Sequence, residues 1–185
     1  MKSGRGRMMA GMILAVVLAA GAVALYLGSG GDEAYASFGK EVNGLDRSRY
    51  DGFWGCVMQG LDLDRIRSDR DLRNQLHKRA ERGRSRFGSH VRDQCLPELA
   101  ELEPGLEAIV PPEGMGEPLR AMSDAVSRLR GAFSDYVAHL DGLEEEEPYS
   151  EEAASDHVGA IAKAWYDYTM ALSELNRELK SRLDG

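Results

Sequence analysis

Apolar residues after Pro118 recur in alternating steps of three and four. Leu119, Met122, Val126, Leu129, Phe133, Tyr136, Leu140 and Leu143 form one series. Ala154, Val158, Ile161, Trp165, Tyr168, Leu172, Leu175 and Leu179 form a second. A 3.5-residue period keeps such side chains on one seam of a helix, the pattern of long, nearly aligned helix packing. Pro118 suits the first helical position, where its missing N–H costs nothing. Ser150 is placed to cap the second helix, with Glu151 and Glu152 at its positive end. Between the two, residues 144–149 (EEEEPY) are too charged and too proline-broken to continue either helix. A connection this short predicts an antiparallel hairpin of helices about 37 and 48 Å long.

Two such seams leave apolar surface for more helices. Tyr50, Phe53, Trp54, Val57, Met58 and Leu61 predict a helix over about residues 46–60, with an earlier turn carrying Phe38, Val42 and Leu45 as its potential extension. Ser68 and Asp71 have capping-box spacing ahead of Leu72, Leu76, Ala80, Phe87 and Val91. Gly83 and Gly88 argue against one uninterrupted element there, since each costs a helix about 1 kcal/mol relative to alanine. Residues 103–118 hold four of the six prolines and read as a long ordered crossover or a surface loop. The expected fold class is all-α: an antiparallel, roughly four-helix up-and-down bundle with one long Pro-rich connection and no strands.

The N-terminus sets the expected compartment. Lys2, Arg5 and Arg7 precede the uncharged residues 8–27, a stretch that would span about 30 Å as a helix, the thickness of a bilayer's hydrocarbon core. By the positive-inside rule, residues 1–7 stay cytoplasmic and everything after Gly28 is extracytoplasmic. Residues 28–45 then form a juxtamembrane linker or helix, and residues 46–185 the bundle. An apolar core longer than the roughly 7–15 residues of a signal peptide favours a retained single-pass anchor. The small-x-small sequence Ala34-Tyr35-Ala36, and more weakly Ala22-Val23-Ala24, keeps secretion after cleavage as the alternative. Lipoprotein anchoring fails, because no cysteine closely follows the apolar core.

Composition adds limits. Of 185 residues, 43% are hydrophobic and 29% charged, which excludes wholesale disorder. A mean hydropathy of −0.40 excludes a polytopic membrane protein. The net charge of −8 is unevenly placed. Residues 65–92 carry ten basic and three acidic groups, a net +7, whereas residues 93–185 carry seven basic and 21 acidic, a net −14. One reading is a basic helix beside acidic ones with complementary solvated faces. The other is a docking face for anionic head groups, a cell-wall polymer or an acidic protein. It would be carried by Arg65, Arg67, Arg70, Arg73, Lys78, Arg79, Arg82, Arg84 and Arg86. Nucleic acid is not expected: the chain is acidic, and Phe87 is the one aromatic residue in the basic stretch.

Cys56 and Cys95 are the two cysteines. In an oxidising compartment they are expected to form a disulfide, contributing about 4 kcal/mol across 39 residues in the chain-entropy model. That pairing needs a break near Gly83 or Gly88 to bring the chain back to the level of Cys56; two buried thiols are the alternative. Metal or redox roles find no CxxC or clustered ligand spacing. The histidines His77, His90, His139 and His157 show no HExxH pattern. The register of the hairpin does place His139 beside His157, a candidate pH-responsive or weak metal contact with Asp135 or Asp156 nearby. In AWYDY, Trp165 and Tyr168 lie on the apolar stripe and Tyr166 off it, the arrangement of core packing rather than of a ligand pocket.

No GxSxG, SxxK, P-loop or GxGxxG occurs, so no catalytic activity and no cofactor are expected. In layout, a membrane-proximal segment followed by a helical bundle resembles the sensory modules of bacterial chemoreceptors. The likeness is architectural and covers no motif, and the second span and output module of such receptors have no counterpart in the sequence. The expected function is a membrane-tethered, extracytoplasmic binding or scaffold module with a protein partner, and homo-oligomerisation is a further expectation. The alternative is a ligand-sensing module acting through a separate membrane protein.

Overall fold

The computed structural model describes residues 33–59, 66, 68–144 and 147–184. The expected anchor at residues 8–27, the basic residues 1–7, Leu61, Arg65 and Arg67 lie outside the described residues. Among the described residues the fold is all-helical, with four long rods, and no helix is long and apolar enough to cross a membrane.

The two C-terminal rods are the predicted hairpin. Numbering the α-helices in chain order, α5 spans Gly116–Gly142 and α6 spans Glu151–Leu183. The seam residues of both series are buried, except Leu143 and Trp165, which are half-buried. Ser150 caps α6 by accepting from the Ala153 N–H at 3.3 Å. Pro118 falls at the third residue of α5 rather than the first, still within the turn whose N–H groups lack intrahelical partners.

The first rod joins α1 (Glu33–Leu45), a π-helical turn (Asp46–Tyr50) and α2 (Asp51–Met58) without a break. Its inward stripe is Phe38, Val42, Asp46, Tyr50, Phe53 and Val57, stepping 4-4-4-3-4. Three successive four-residue steps overrun a 3.6-residue turn by about one residue, and the wider turn absorbs the excess. The second rod repeats the device. Phe87, Val91, Cys95, Leu99, Leu102 and Leu106, all buried, step 4-4-4-3-4 across a π turn at Val91–Cys95 that leads into α4 (Leu96–Glu107).

Ahead of that turn, α3 (Asp69–His90) changes course at Gly83, its one residue with non-helical φ/ψ. Before the break, Arg73 lies on Gly159 of α6 and His77 bonds Tyr149. After it, Arg84 reaches the Glu144 carbonyl, Gly88 packs on Leu140 and Glu103 pairs with Arg130, so this limb runs antiparallel to α5. The redirection at Gly83 brings Cys95 level with Cys56, and the disulfide is formed, with Cα atoms 5.5 Å apart.

The expected long Pro-rich connection is corrected. Helix α4 runs through Pro104, and only residues 108–115 link it to α5. Burial of Leu99, Leu102 and Leu106 outweighs the backbone hydrogen bond that Pro104 cannot donate. Gly114, with φ +81°, turns this link beneath Arg182, and the Tyr35 hydroxyl donates to the Glu113 carbonyl at 2.9 Å.

Rods meet in an aromatic centre. Phe53 packs edge-on against Phe133 at 5.0 Å between centroids, Trp54 against Phe133 at 5.7 Å, and Tyr50 stacks on Tyr168 at 3.9 Å. At Gly39 a Cβ would stand 2.5 Å from Leu179 Cδ2, so the missing side chain lets α1 close onto α6.

Candidate functional site

Helix α3 begins where the sequence signals it. Ser68 accepts from the Asp71 N–H at 3.1 Å, and its hydroxyl donates to the Asp71 carboxylate at 2.8 Å. Leu72, Leu76, His77 and Ala80 turn inward. Seven of the nine expected basic residues are described, and they separate by role. Arg79 turns inward and donates to the carbonyls of Met58 and Gln59 at the C-terminal end of α2. Burial, then the charge of Arg82, holds its pKa below the usual arginine value. Arg84 serves the end of α5 in the same way through the Glu144 carbonyl. Cations are favoured at such helix ends, where carbonyls lack intrahelical donors. Arg73 pairs with Asp69 of its own helix at 3.7 Å.

Arg70, Lys78, Arg82 and Arg86 point to solvent, and among the described residues no carboxylate pairs with any of them. Arg70, Lys78 and Arg82, with Asn74 between the first two, step by four along one exposed face. Within the basic stretch, Arg92 pairs with Asp141 of a neighbouring rod as complementary faces would require, whereas these four do not pair. Rods are bridged by Arg49 to Glu98 and Glu101 at 3.0 and 2.6 Å, by Arg130 to Glu103 at 2.8 Å, and by Arg92 to Asp141. Beside the unpaired cations lies an open groove of about 740 Å³ lined by Glu81, Gly83, Arg84, Ser85, Arg86, Pro148 and Tyr149.

Around the disulfide, the expectation that no ligand clusters with the cysteines is overturned by His90. Its Nε2 lies 3.5 Å from both sulfurs and 3.2 Å from the Cys56 carbonyl, while Nδ1 faces the Gln59 amide at 3.5 Å. The π turn makes this possible. Five residues separate His90 from Cys95, a spacing that diverges on an α-helix and converges across an i→i+5 turn. Gln59 takes the strained φ of +24° to end α2 beside His90.

His139 and His157 do stack, with centroids 4.7 Å apart and planes at 23°. His139 Nε2 is buried without a hydrogen-bond partner. Burial first, then the neighbouring His157, lowers the His139 pKa; the charge of Glu147, rather than of Asp135 or Asp156, opposes this. Nearby, the Tyr149 hydroxyl hydrogen-bonds His77 Nδ1 at 2.6 Å and lies 3.1 Å from that of Tyr136, tying the hairpin loop to α3. In the first π turn, Asp46 accepts from the Tyr168 hydroxyl. Burial raises its pKa to about 6, and Asp51 adds to the shift, against the Tyr168 hydrogen bond and Arg47.

His90, Tyr149 and Asp46 were missed by reasoning from motifs. The repeated 4-4-4-3-4 stripes are the signal that could have located both π turns, and with them Asp46 and the His90–Cys95 pair. No family model, curated protein or solved structure matches the chain.

Proposed function

We propose that the protein is a membrane-tethered, extracytoplasmic helical-bundle module that works by binding, with the outer face of α3 docking on an acidic protein partner. The observation that carries the reading is the set of four exposed cations, Arg70, Lys78, Arg82 and Arg86, gathered on one segment without carboxylate partners, whereas Arg49, Arg92 and Arg130 pair across rods. The disulfide supports an oxidising compartment. A tether at residues 8–27 delivers the chain to the bundle at Glu33. The cationic face lies by Met58, at the opposite end of a 26-residue rod about 38 Å long. That separation favours a protein partner over the lipid surface beside the tether. Among the described residues, the fully buried side chains of the aromatic centre and the solvent-open groove beside the cations favour docking over small-ligand sensing.

The test is a photocrosslinking residue placed at Lys78 in the full-length chain in intact cells, with and without Arg70→Glu, Arg82→Glu and Arg86→Glu. A discrete crosslinked protein that disappears on charge reversal and at high salt, with the tagged C-terminus outside the cytoplasm, is expected. Loss of nothing on charge reversal, or a tag found in soluble cytosol, overturns the reading. Binding of the same face to anionic vesicles, with no protein crosslink, would assign it to lipid instead.

A further inference from the structure

We propose that Cys56, Cys95 and His90 form a redox-gated site for a soft divalent cation such as Zn²⁺, closed by the disulfide and opened by its reduction. Their potential ligand atoms, two Sγ and one imidazole nitrogen, lie within 4.8 Å of one another. A disulfide staple requires only its two sulfurs. Here a third ligand stands 3.5 Å from each of them, and it is brought there by a π turn rather than by regular helix geometry.

The chemistry of the set is consistent. Two thiolates and an imidazole give three protein ligands of the kind Zn²⁺ prefers, with a fourth tetrahedral position open to water. Metal-binding imidazole uses one nitrogen and is oriented through the other. Nε2 faces the sulfurs, and Nδ1 faces Gln59, whose amide oxygen can accept an Nδ1–H once the amide is turned over. Cys95 is fully buried, whereas Cys56 and His90 are half-buried, so a reductant reaches the pair from the Cys56 side.

The steps balance with a dithiol as reductant. Its two thiols transfer two electrons to the protein S–S bond and close to their own disulfide, and their two protons end on Cys56 and Cys95. Cation binding then displaces both protons, leaving two thiolates and neutral His90 on the metal. Reoxidation by a small-molecule disulfide, which takes the two electrons of the thiolates and two protons from solvent and leaves as two thiols, re-forms the S–S bond and expels the cation. The site thus reads the redox state of its compartment as occupied or empty.

The test uses the full-length chain in detergent, with Zn²⁺ as the probe. Disulfide-bonded protein and anaerobically reduced protein, freed of the dithiol, are equilibrated with Zn²⁺ and desalted, and bound metal is measured. Reduced protein is expected to keep one more Zn²⁺ per chain than the oxidised form, and His90→Ala to weaken that binding at least tenfold. Co²⁺ in its place should show thiolate charge-transfer absorption that changes in His90→Ala. Should reduction unfold the bundle, Zn²⁺ must restore the helical circular dichroism of the wild-type chain and not of Cys95→Ser. Equal binding in both redox states, binding indifferent to His90→Ala, or no Zn²⁺-dependent refolding overturns the proposal.

Discussion

The C-terminal hairpin and the two rods packed on it are built from the same kind of helix by different rules. Helices α5 and α6, 27 and 33 residues long, each carry a 3-4 repeat, and Ser150 caps α6 where the sequence places a cap. The rods from Glu33 to Glu107 bend at Gly83, widen twice into π turns and carry the disulfide. Each irregularity on that side brings unlike chemistry together. Asp46 meets Tyr168 across the first π turn, and His90 meets both sulfurs across the second. Regular packing makes a platform, and departures from it bring further polar groups of different rods into contact.

The sharpest way to break that contrast is to remove the cross-link. Serine at both Cys56 and Cys95 should lower stability by about 4 kcal/mol in equilibrium unfolding. Hydrogen exchange should show α2 and α4 loosening before α5 and α6. Equal loosening everywhere would make the two sides one cooperative unit.

Acidity tests the two sides with opposite signs. Asp46 has its folded pKa raised from 3.8 to about 6, so the stability it contributes is present at pH 4 and is lost as pH rises through 6. Asp46→Asn keeps an acceptor for Tyr168 and should raise the melting temperature at pH 8 while changing little at pH 4. His139 has its folded pKa lowered, so its contribution is complete at neutral pH and is lost as pH falls below the ordinary histidine value. His139→Gln should flatten the decline in melting temperature between pH 7 and 5. If both variants tilt the profile the same way, the assignment of one acid-favoured and one neutral-favoured region is wrong.

The smallest effects come from the caps. Ser68→Ala and Ser150→Ala should each cost about 1 kcal/mol. The loss at Ser150 should appear in global unfolding, since α6 is packed along its length. The loss at Ser68 should appear as local exchange in the limb before Gly83, which buries only four side chains.

Much of this molecule is legible along the chain. The paired heptad stripes specify α5, α6 and their antiparallel order, because a 3.5-residue period has one low-energy way to be buried. Two cysteines and a glycine break suffice to expect the disulfide. The fate of the proline-rich stretch is not legible, since Pro104 breaks helices by local rules and the burial of Leu102 and Leu106 overrides them only in the assembled core. Nor is the division among the basic residues: Arg79 and Arg84 are indistinguishable from Lys78 and Arg82 until neighbouring helix ends supply carbonyls to bind.

The sequence by itself therefore determined that the chain is helical and, for the hairpin, which segments form helices, which faces go inside and how it folds, since all of these follow from residue periodicity. Only the tertiary structure decided which polar groups meet, because His90, Asp46 and Tyr149 find their partners across rods 34, 122 and 72 residues away, where no local pattern reaches.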